Sequence, residues 1–411
     1  MSLVSALGSR PSGLRVERMK ASRQWSRTQG GFRNTSGVGV GDGSTSAASG
    51  PDAGVLKGFL FDRAARRPAA PLPMLDPRRA WRQPPETGLR TTWLGHSTVL
   101  LEIDGRRVLT DPVWGPRSSP VAWAGPARFH APPVSLSQLP KLDAVLISHD
   151  HYDHLDYPTL LELAKRDVPI ITSLGVGAHL EGWGIPASRI HEVDWWETVT
   201  VPHTALRLTA TPSQHFSGRS PFDRNATLWS SFVIEGERHR VFFSGDTGLT
   251  DEYLGVHARF GRFDLTMIEI GAWHPAWGSI HLGPENALRA HAMLGGGPLL
   301  PLHWGTFDLA LHPWDEPAET LVAGASRGGV PLVMPRLGGS IEPSRVGQVD
   351  AWWREVRATD GNAPFLRRSA LQDNPRELPE IPPLLRRHLR LCRSSRRRTH
   401  RRVQQEIRAD R

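Results

Sequence analysis

The stretch Ser148-His149-Asp150-His151-Tyr152-Asp153-His154-Leu155-Asp156 packs three histidines and three aspartates into nine residues. The apolar run before it, Ala144–Ile147, reads as a buried strand. The run after it, Tyr157 to Lys165, reads as a helix with Pro158 near its first position. The histidines therefore sit on a strand-to-helix turn. In extended backbone His149 and His151 face the same way, because side chains repeat every second residue. As the chain begins to coil, Asp153 and His154 come to face back toward the same point. Three imidazoles and a carboxylate converging there suit a borderline divalent ion such as zinc. The alternative is a polar loop that is merely rich in histidine.

Further candidates are spread along the chain. His215 lies in Thr211–Arg219 and alone would be an ordinary histidine. Asp246 ends an apolar strand inside Ser244-Gly245-Asp246-Thr247-Gly248, where a carboxylate can project from a sheet edge or simply belong to a turn. His281 precedes a helix that starts near Pro284. It could contact a substrate or protonate a leaving group, or make a structural hydrogen bond. His303 follows Pro298-Leu299-Leu300-Pro301-Leu302.

His-x-His-x-Asp-His after a hydrophobic strand resembles the signature of the metallo-β-lactamase superfamily. The Gln214-His215 turn, the Ser-Gly-Asp-Thr-Gly turn and His303-Trp304-Gly305-Thr306-Phe307 resemble its N-acylphosphatidylethanolamine phospholipase D branch more than the β-lactamases themselves. The same branch holds the ascorbate-6-phosphate lactonases. The resemblance covers roughly residues 89–357. It implies an α/β fold, a four-layer αβ/βα sandwich with a metal site at one edge. It implies that His149, His151 and His215 hold one metal, that Asp153, His154 and His303 hold a second, and that Asp246 bridges both. His96 would lie beside the site as a supporting residue rather than a ligand. The expected cofactors are two divalent ions, zinc first, with Mn2+ or Fe2+ as alternatives because His/Asp sets accept several ions. Two such ions roughly 3.5–4 Å apart can hold a hydroxide and bring its pKa toward neutrality. Asp153 would orient that nucleophile, Asp246 would bridge, and His281 would meet the substrate. No serine or cysteine nucleophile is then needed. The function implied is a phosphodiesterase of phospholipase D type acting on an N-acylphosphatidylethanolamine-like phospholipid. A lactonase, a phosphodiesterase for a soluble or nucleic-acid substrate, and a metal-bearing binding protein are the alternatives.

The elements that must position these residues are legible in part. Thr91 to Ile103, then Asp104-Gly105, then Arg107 to Pro112 predict a hairpin. Ser230–Gly236 with His239–Gly248 predict another, and Leu265–Gly271 a buried strand. The loop from Val113 to Phe129 carries Trp114 and Trp123, which could line a substrate groove, meet lipid or pack on the body.

Four segments are expected. Residues 1–54, rich in Ser, Gly, Thr and Arg, predict disorder, with Met19 as an alternative start. Residues 55–88 predict an amphipathic segment (Val55 to Arg67) and a Pro-rich linker. Residues 89–358 form the hydrolase domain, and 359–411 a basic tail. The segment at 55–67 would touch a membrane surface or pack on the body. The tail would bind anionic lipid or nucleic acid, or stay solvated. The net charge of +9 gathers largely at the ends, so it says little about the catalytic body. The single Cys392 excludes an internal disulfide and fits a reducing compartment. With no run long enough for a bilayer and no apolar signal core, the reading is a cytoplasmic protein with peripheral membrane contact at most.

Overall fold

The computed structural model describes residues 3–36, 66–274 and 279–358. The chain opens with α1 (Leu3–Leu7), α2 (Leu14–Ala21) and the short pair β1 (Trp25–Ser26) and β2 (Gly31–Phe32). There follow β3 (Leu89–Gly95), β4 (Thr98–Ile103), β5 (Arg106–Thr110), β6 (Ala144–Ile147), α3 (Tyr157–Leu163), β7 (Ile170–Ser173), α4 (Gly177–Gly182) and β8 (Ile190–Val193). The second half holds β9 (Thr198–Thr200), β10 (Arg207–Thr211), β11 (Ser231–Glu235), β12 (Arg240–Phe243), α5 (Glu252–Phe260), β13 (Leu265–Glu269), α6 (Gly283–Met293) and β14 (Leu299–Leu302). It ends with α7 (Glu316–Gly328), β15 (Ser340–Ile341) and α8 (Trp353–Ala358).

Side-chain alternation separates the layers. In β6, Ala144 and Leu146 point into the cluster between the sheets, while Val145 and Ile147 join Leu160, Leu163 and Leu180 of α3 and α4. In the second sheet the cross-strand partners Ala210, Phe232 and Phe243 share one face. Phe242 lies on the other, with its ring 6.2 Å from Tyr253 of α5 and 5.7 Å from Phe263. A strand apolar on both faces must be covered on both. The result is helix, sheet, sheet, helix: the four-layer α/β sandwich.

One sheet has the order β15-β3-β4-β5-β6-β7-β8 and the other β14-β13-β12-β11-β10-β9. The pairing sets strand directions. β3 and β4 are antiparallel, as are β4 and β5, and β5 through β8 run parallel. So β3, β5 and β6 all run one way. In the second sheet β10, β12, β13 and β14 share a direction, with β11 opposed. Each of these co-directional strands ends at or just before a residue of the candidate centre. In open α/β sheets, ligands gather outside the carboxyl ends of strands for this reason.

The Asp104-Gly105 turn is as expected, with positive φ at both residues (46° and 79°), which a two-residue hairpin loop requires. Thr91 to Ile103, however, is not one strand. It breaks at His96-Ser97, where His96 has φ 54°.

Three expectations about the flanks change. Residues 3–36 are folded against the body, not disordered: Met19 and Phe32 are buried with Leu174, Trp195, Leu228 and Trp229. The segment lacks apolar periodicity because polar clamps hold most of it. Arg15 pairs with both Glu181 and Glu192 at 2.7 Å. The Pro-rich stretch is no free linker: Leu72 is buried, and the Leu75 amide donates to the Leu337 carbonyl at 2.8 Å. The body also starts before Leu89, since buried Trp81 donates from its indole to Thr92 at 3.0 Å. Residues 37–54 of the expected disordered segment, residues 55–65 of the expected amphipathic segment and the tail from 359 lie outside the described residues. Among the described residues no helix is long and apolar enough to cross a membrane.

Candidate metal centre

His149 and His151 leave the carboxyl end of β6, and His215 follows β10 by four residues. The three rings meet: His149 Nε2 and His215 Nε2 lie 2.9 and 3.2 Å from His151 Nδ1. Their outer atoms decide what those inner nitrogens carry. The Ser148 hydroxyl donates to Asp111, so it accepts from His149 Nδ1–H at 2.9 Å. His215 Nδ1–H donates to the Ile280 carbonyl at 2.9 Å. Both Nε2 atoms are therefore lone pairs, and at most one hydrogen, on His151, lies among three converging nitrogens. Buried lone pairs facing one another without donors are costly. A cation resolves them. Asp246 Oδ2 closes this group at 4.0 Å from His149 Nε2 and 3.8 Å from His215 Nε2.

The same Asp246 oxygen belongs to a second group. It lies 3.1 Å from both His154 Nε2 and His303 Nε2. Asp153 Oδ2 lies 3.5 Å from His154 Nε2 and 3.2 Å from His303 Nε2. The other Asp246 oxygen is buried with no hydrogen-bond partner. Burial opposes ionisation of Asp246, but His154 and His303 outweigh it and hold its carboxyl well below the usual range. Burial likewise lowers His154, yet Asp246, Asp153 and Asp111 raise it well above an ordinary histidine. A proton on His154 Nε2 stands where a divalent ion would bond, and metal binding would release it. Burial and the neighbouring rings hold His149 and His215 well below the ordinary value, which keeps them neutral. All seven residues anticipated as ligands are thus brought together, and the donor set suits two ions sharing Asp246.

Around them stand His96 and His281, both expected at the site, and Asp111 and Glu269, whose place the sequence did not disclose. His96 donates from Nε2 to Asp153 at 2.9 Å, and burial followed by His303 pushes its pKa down to about 3. A neutral ring with one fixed donor orients the Asp153 carboxylate. Asp111 accepts from His154 Nδ1 at 2.6 Å and from the Ser148 amide at 2.7 Å. Glu269, the last residue of β13, accepts from His281 Nδ1 at 2.7 Å and from the Thr247 amide at 2.9 Å. That leaves His281 Nε2 toward the centre, its ring 5.0 Å from His215 and 5.4 Å from His303. An acid inside the apolar run Leu265–Ile270 was the available signal for Glu269.

Backbone strain gathers here too. His96, Asp111, Ala272 and His303 all have positive φ, at 54°, 33°, 52° and 63°. Gly245 permits the turn that presents Asp246, since a Cβ there would stand 2.6 Å from Ser148 Cβ. In the Val113–Phe129 loop, the Trp114 indole donates to Val134 O at 2.8 Å and packs on the body, whereas Trp123 is 82% exposed. Phe129 lines a cavity beside His303 with Trp304, Phe307 and Trp314.

A family described as the β-lactamase superfamily domain matches residues 106–304. An uncharacterized protein of Mycobacterium tuberculosis is 48% identical over 295 residues, 71% of this chain and 78% of that one. N-acyl-phosphatidylethanolamine-hydrolyzing phospholipase D 1 of Caenorhabditis elegans is 36% identical over 253 residues, 58% of this chain and 71% of that protein. The mitochondrial N-acyl-phosphatidylethanolamine-hydrolyzing phospholipase D of Saccharomyces cerevisiae is 34% identical over 246 residues, 58% of this chain and 52% of that one.

Proposed function

Because this chain belongs to the metallo-β-lactamase superfamily, we propose that it is a hydrolase with two divalent metal ions, specifically a phosphodiesterase of phospholipase D type acting on an N-acylphosphatidylethanolamine-like phospholipid. The observation that carries the reading is Asp246 Oδ2 standing within 4.0 Å of His149, His154, His215 and His303 at once. The substrate class is supported by the likeness to the two phospholipases. His149, His151 and His215 would hold one ion, Asp153, His154 and His303 the other, and Asp246 both. When bound, such ions supply an acidified water and offset charge on a phosphoryl oxygen.

The chain's own residues do the rest. Asp153, held by His96, orients the attacking water. Attack at phosphorus breaks the bond to the alcohol oxygen of the head group, and that oxygen must gain a proton. His281 is placed to give it from Nε2, with Glu269 fixing the ring through Nδ1. Burial lowers the His281 pKa, but the Glu269 charge and hydrogen bond raise it above the ordinary value. An acid must be protonated, so turnover falls as pH rises through its pKa. Glu269→Gln should move that alkaline limb to lower pH. His281→Gln should abolish it and cost about 10²–10⁴-fold in kcat. A pH–rate profile of the three proteins checks this, and an alkaline limb unmoved in both variants would remove His281 from the role.

The proposal is tested by offering the purified protein an N-acylphosphatidylethanolamine in vesicles and a lactone side by side, each with a chelator control. Metal-dependent release of phosphatidic acid is expected. Lactone opening without phosphodiester cleavage would overturn the substrate class.

A further inference from the structure

The folded N-terminal arm meets the centre at Asn34. This residue is 3% exposed and binds both backbone groups of His215. Its Nδ2 donates to the His215 carbonyl at 2.9 Å, and its Oδ1 accepts from the His215 amide at 3.1 Å. The same oxygen accepts from the Trp229 indole at 3.0 Å, and Trp229 lies in the apolar cluster that holds Met19 and Phe32 of the arm. Two residues on, Ser36 donates to the Gln214 side chain at 2.7 Å. The arm also reaches the metal loop from the other side. Arg219, buried, donates to Ala6 O at 2.7 Å and to the Asp150 and Leu155 carbonyls at 2.6 and 2.9 Å. The arm thus grips the turn bearing His215 and, through Arg219, the loop bearing His149, His151, Asp153 and His154.

We propose that the arm is a working part of the metal centre, with Asn34 a positioning residue that fixes His215 toward His149 and His151, so that arm docking and metal binding are coupled. This rests on the two-metal reading above. Coupling is reciprocal: if the docked arm raises metal affinity, bound metal must stabilise the docked arm by the same factor. Partners that orient a ligand typically contribute about 10–100-fold in metal affinity.

The test titrates the full chain with Co2+, following visible absorption and competition with a chelator. The unaltered protein should take up two equivalents. Asn34→Ala should bind one of them about 10–100-fold more weakly, with a changed ligand-field band. Asn34→Asp, which keeps the acceptor for the His215 amide and loses the donor to its carbonyl, should fall between. Lys20→Ala removes only the exposed Lys20–Glu17 pair within α2, which does not touch the body, and should leave both affinities unchanged. Should Asn34→Ala not fold, trypsin reads the coupling in the unaltered protein. Cleavage after the exposed Arg23 and Arg27 should be slower with metal than with chelator, by the same factor. Equal affinities in Asn34→Ala, or equal cleavage rates with and without metal, would overturn the coupling while leaving the metal reading intact. An unaltered protein that binds no Co2+ would instead overturn the metal reading, and the coupling with it.

Discussion

Asp246→Asn should leave the fold in place and reduce turnover by more than the ~10–100-fold loss expected of an outer partner. The reason is geometric. One Asp246 oxygen is close to donors of both groups, at 3.1 Å from His154 and His303 and 3.8 Å from His215. The other is buried without a hydrogen-bond partner. Asparagine keeps the shape, halves the acceptor capacity and removes the charge that two cations would share. Metal content of the purified variant should fall below that of the parent, measured by elemental analysis beside kcat. Unchanged metal content with unchanged turnover would sink the shared role of Asp246.

Asp111→Asn is expected to weaken metal binding at the Asp153–His154–His303 group by about 10–100-fold, although Asp111 is not among the converging donors. Its carboxylate accepts from His154 Nδ1, the Ser148 hydroxyl and the Ser148 amide at 2.6, 2.7 and 2.7 Å. Those bonds keep the His154 hydrogen on Nδ1, so that the proton released on metal binding is the one on Nε2, which faces Asp153 and Asp246. An amide nitrogen turned toward His154 would favour the opposite tautomer and put a hydrogen where the ion must bond. An amide turned the other way would face the Ser148 amide with a donor, leaving that buried group unsatisfied at about 1–3 kcal/mol. Either orientation loses. Chelator competition on parent and variant measures the effect. Two undiminished affinities would mean that the His154 ring is oriented by something other than Asp111.

The contrast between these two residues shows what a chain discloses before it is folded. Asp246 was legible because its turn repeats a recognisable string, and His149 to His154 because donors crowd nine residues between a strand and a helix. Asp111 and Glu269 were read only as parts of strands. Each acts on a histidine far along the chain, 43 residues away for His154 and 12 for His281, and only the strand order brings them together. His96 was legible as a neighbour of the site, but its hydrogen bond to Asp153 depends on a break in what reads as one continuous strand. The four layers were anticipated from family resemblance, and Ala144–Ile147 shows the physical basis: apolar on both faces, it must be covered by a sheet and by helices. The arm was misread for a reason that composition cannot repair. Residues 3–36 bury few apolar groups, and their docking rests on guanidinium–carboxylate pairs and on Asn34, whose partners lie some 180 residues away. Low apolar content signals disorder only when no distant polar partner is waiting.

The claim that everything else depends on is that seven donors hold two ions. Anomalous diffraction from crystals of metal-loaded protein tests it most directly. Two peaks roughly 3.5–4 Å apart are predicted, one against His149, His151 and His215, the other against Asp153, His154 and His303, with Asp246 touching both. A single peak, or two that do not share Asp246, would contradict the account.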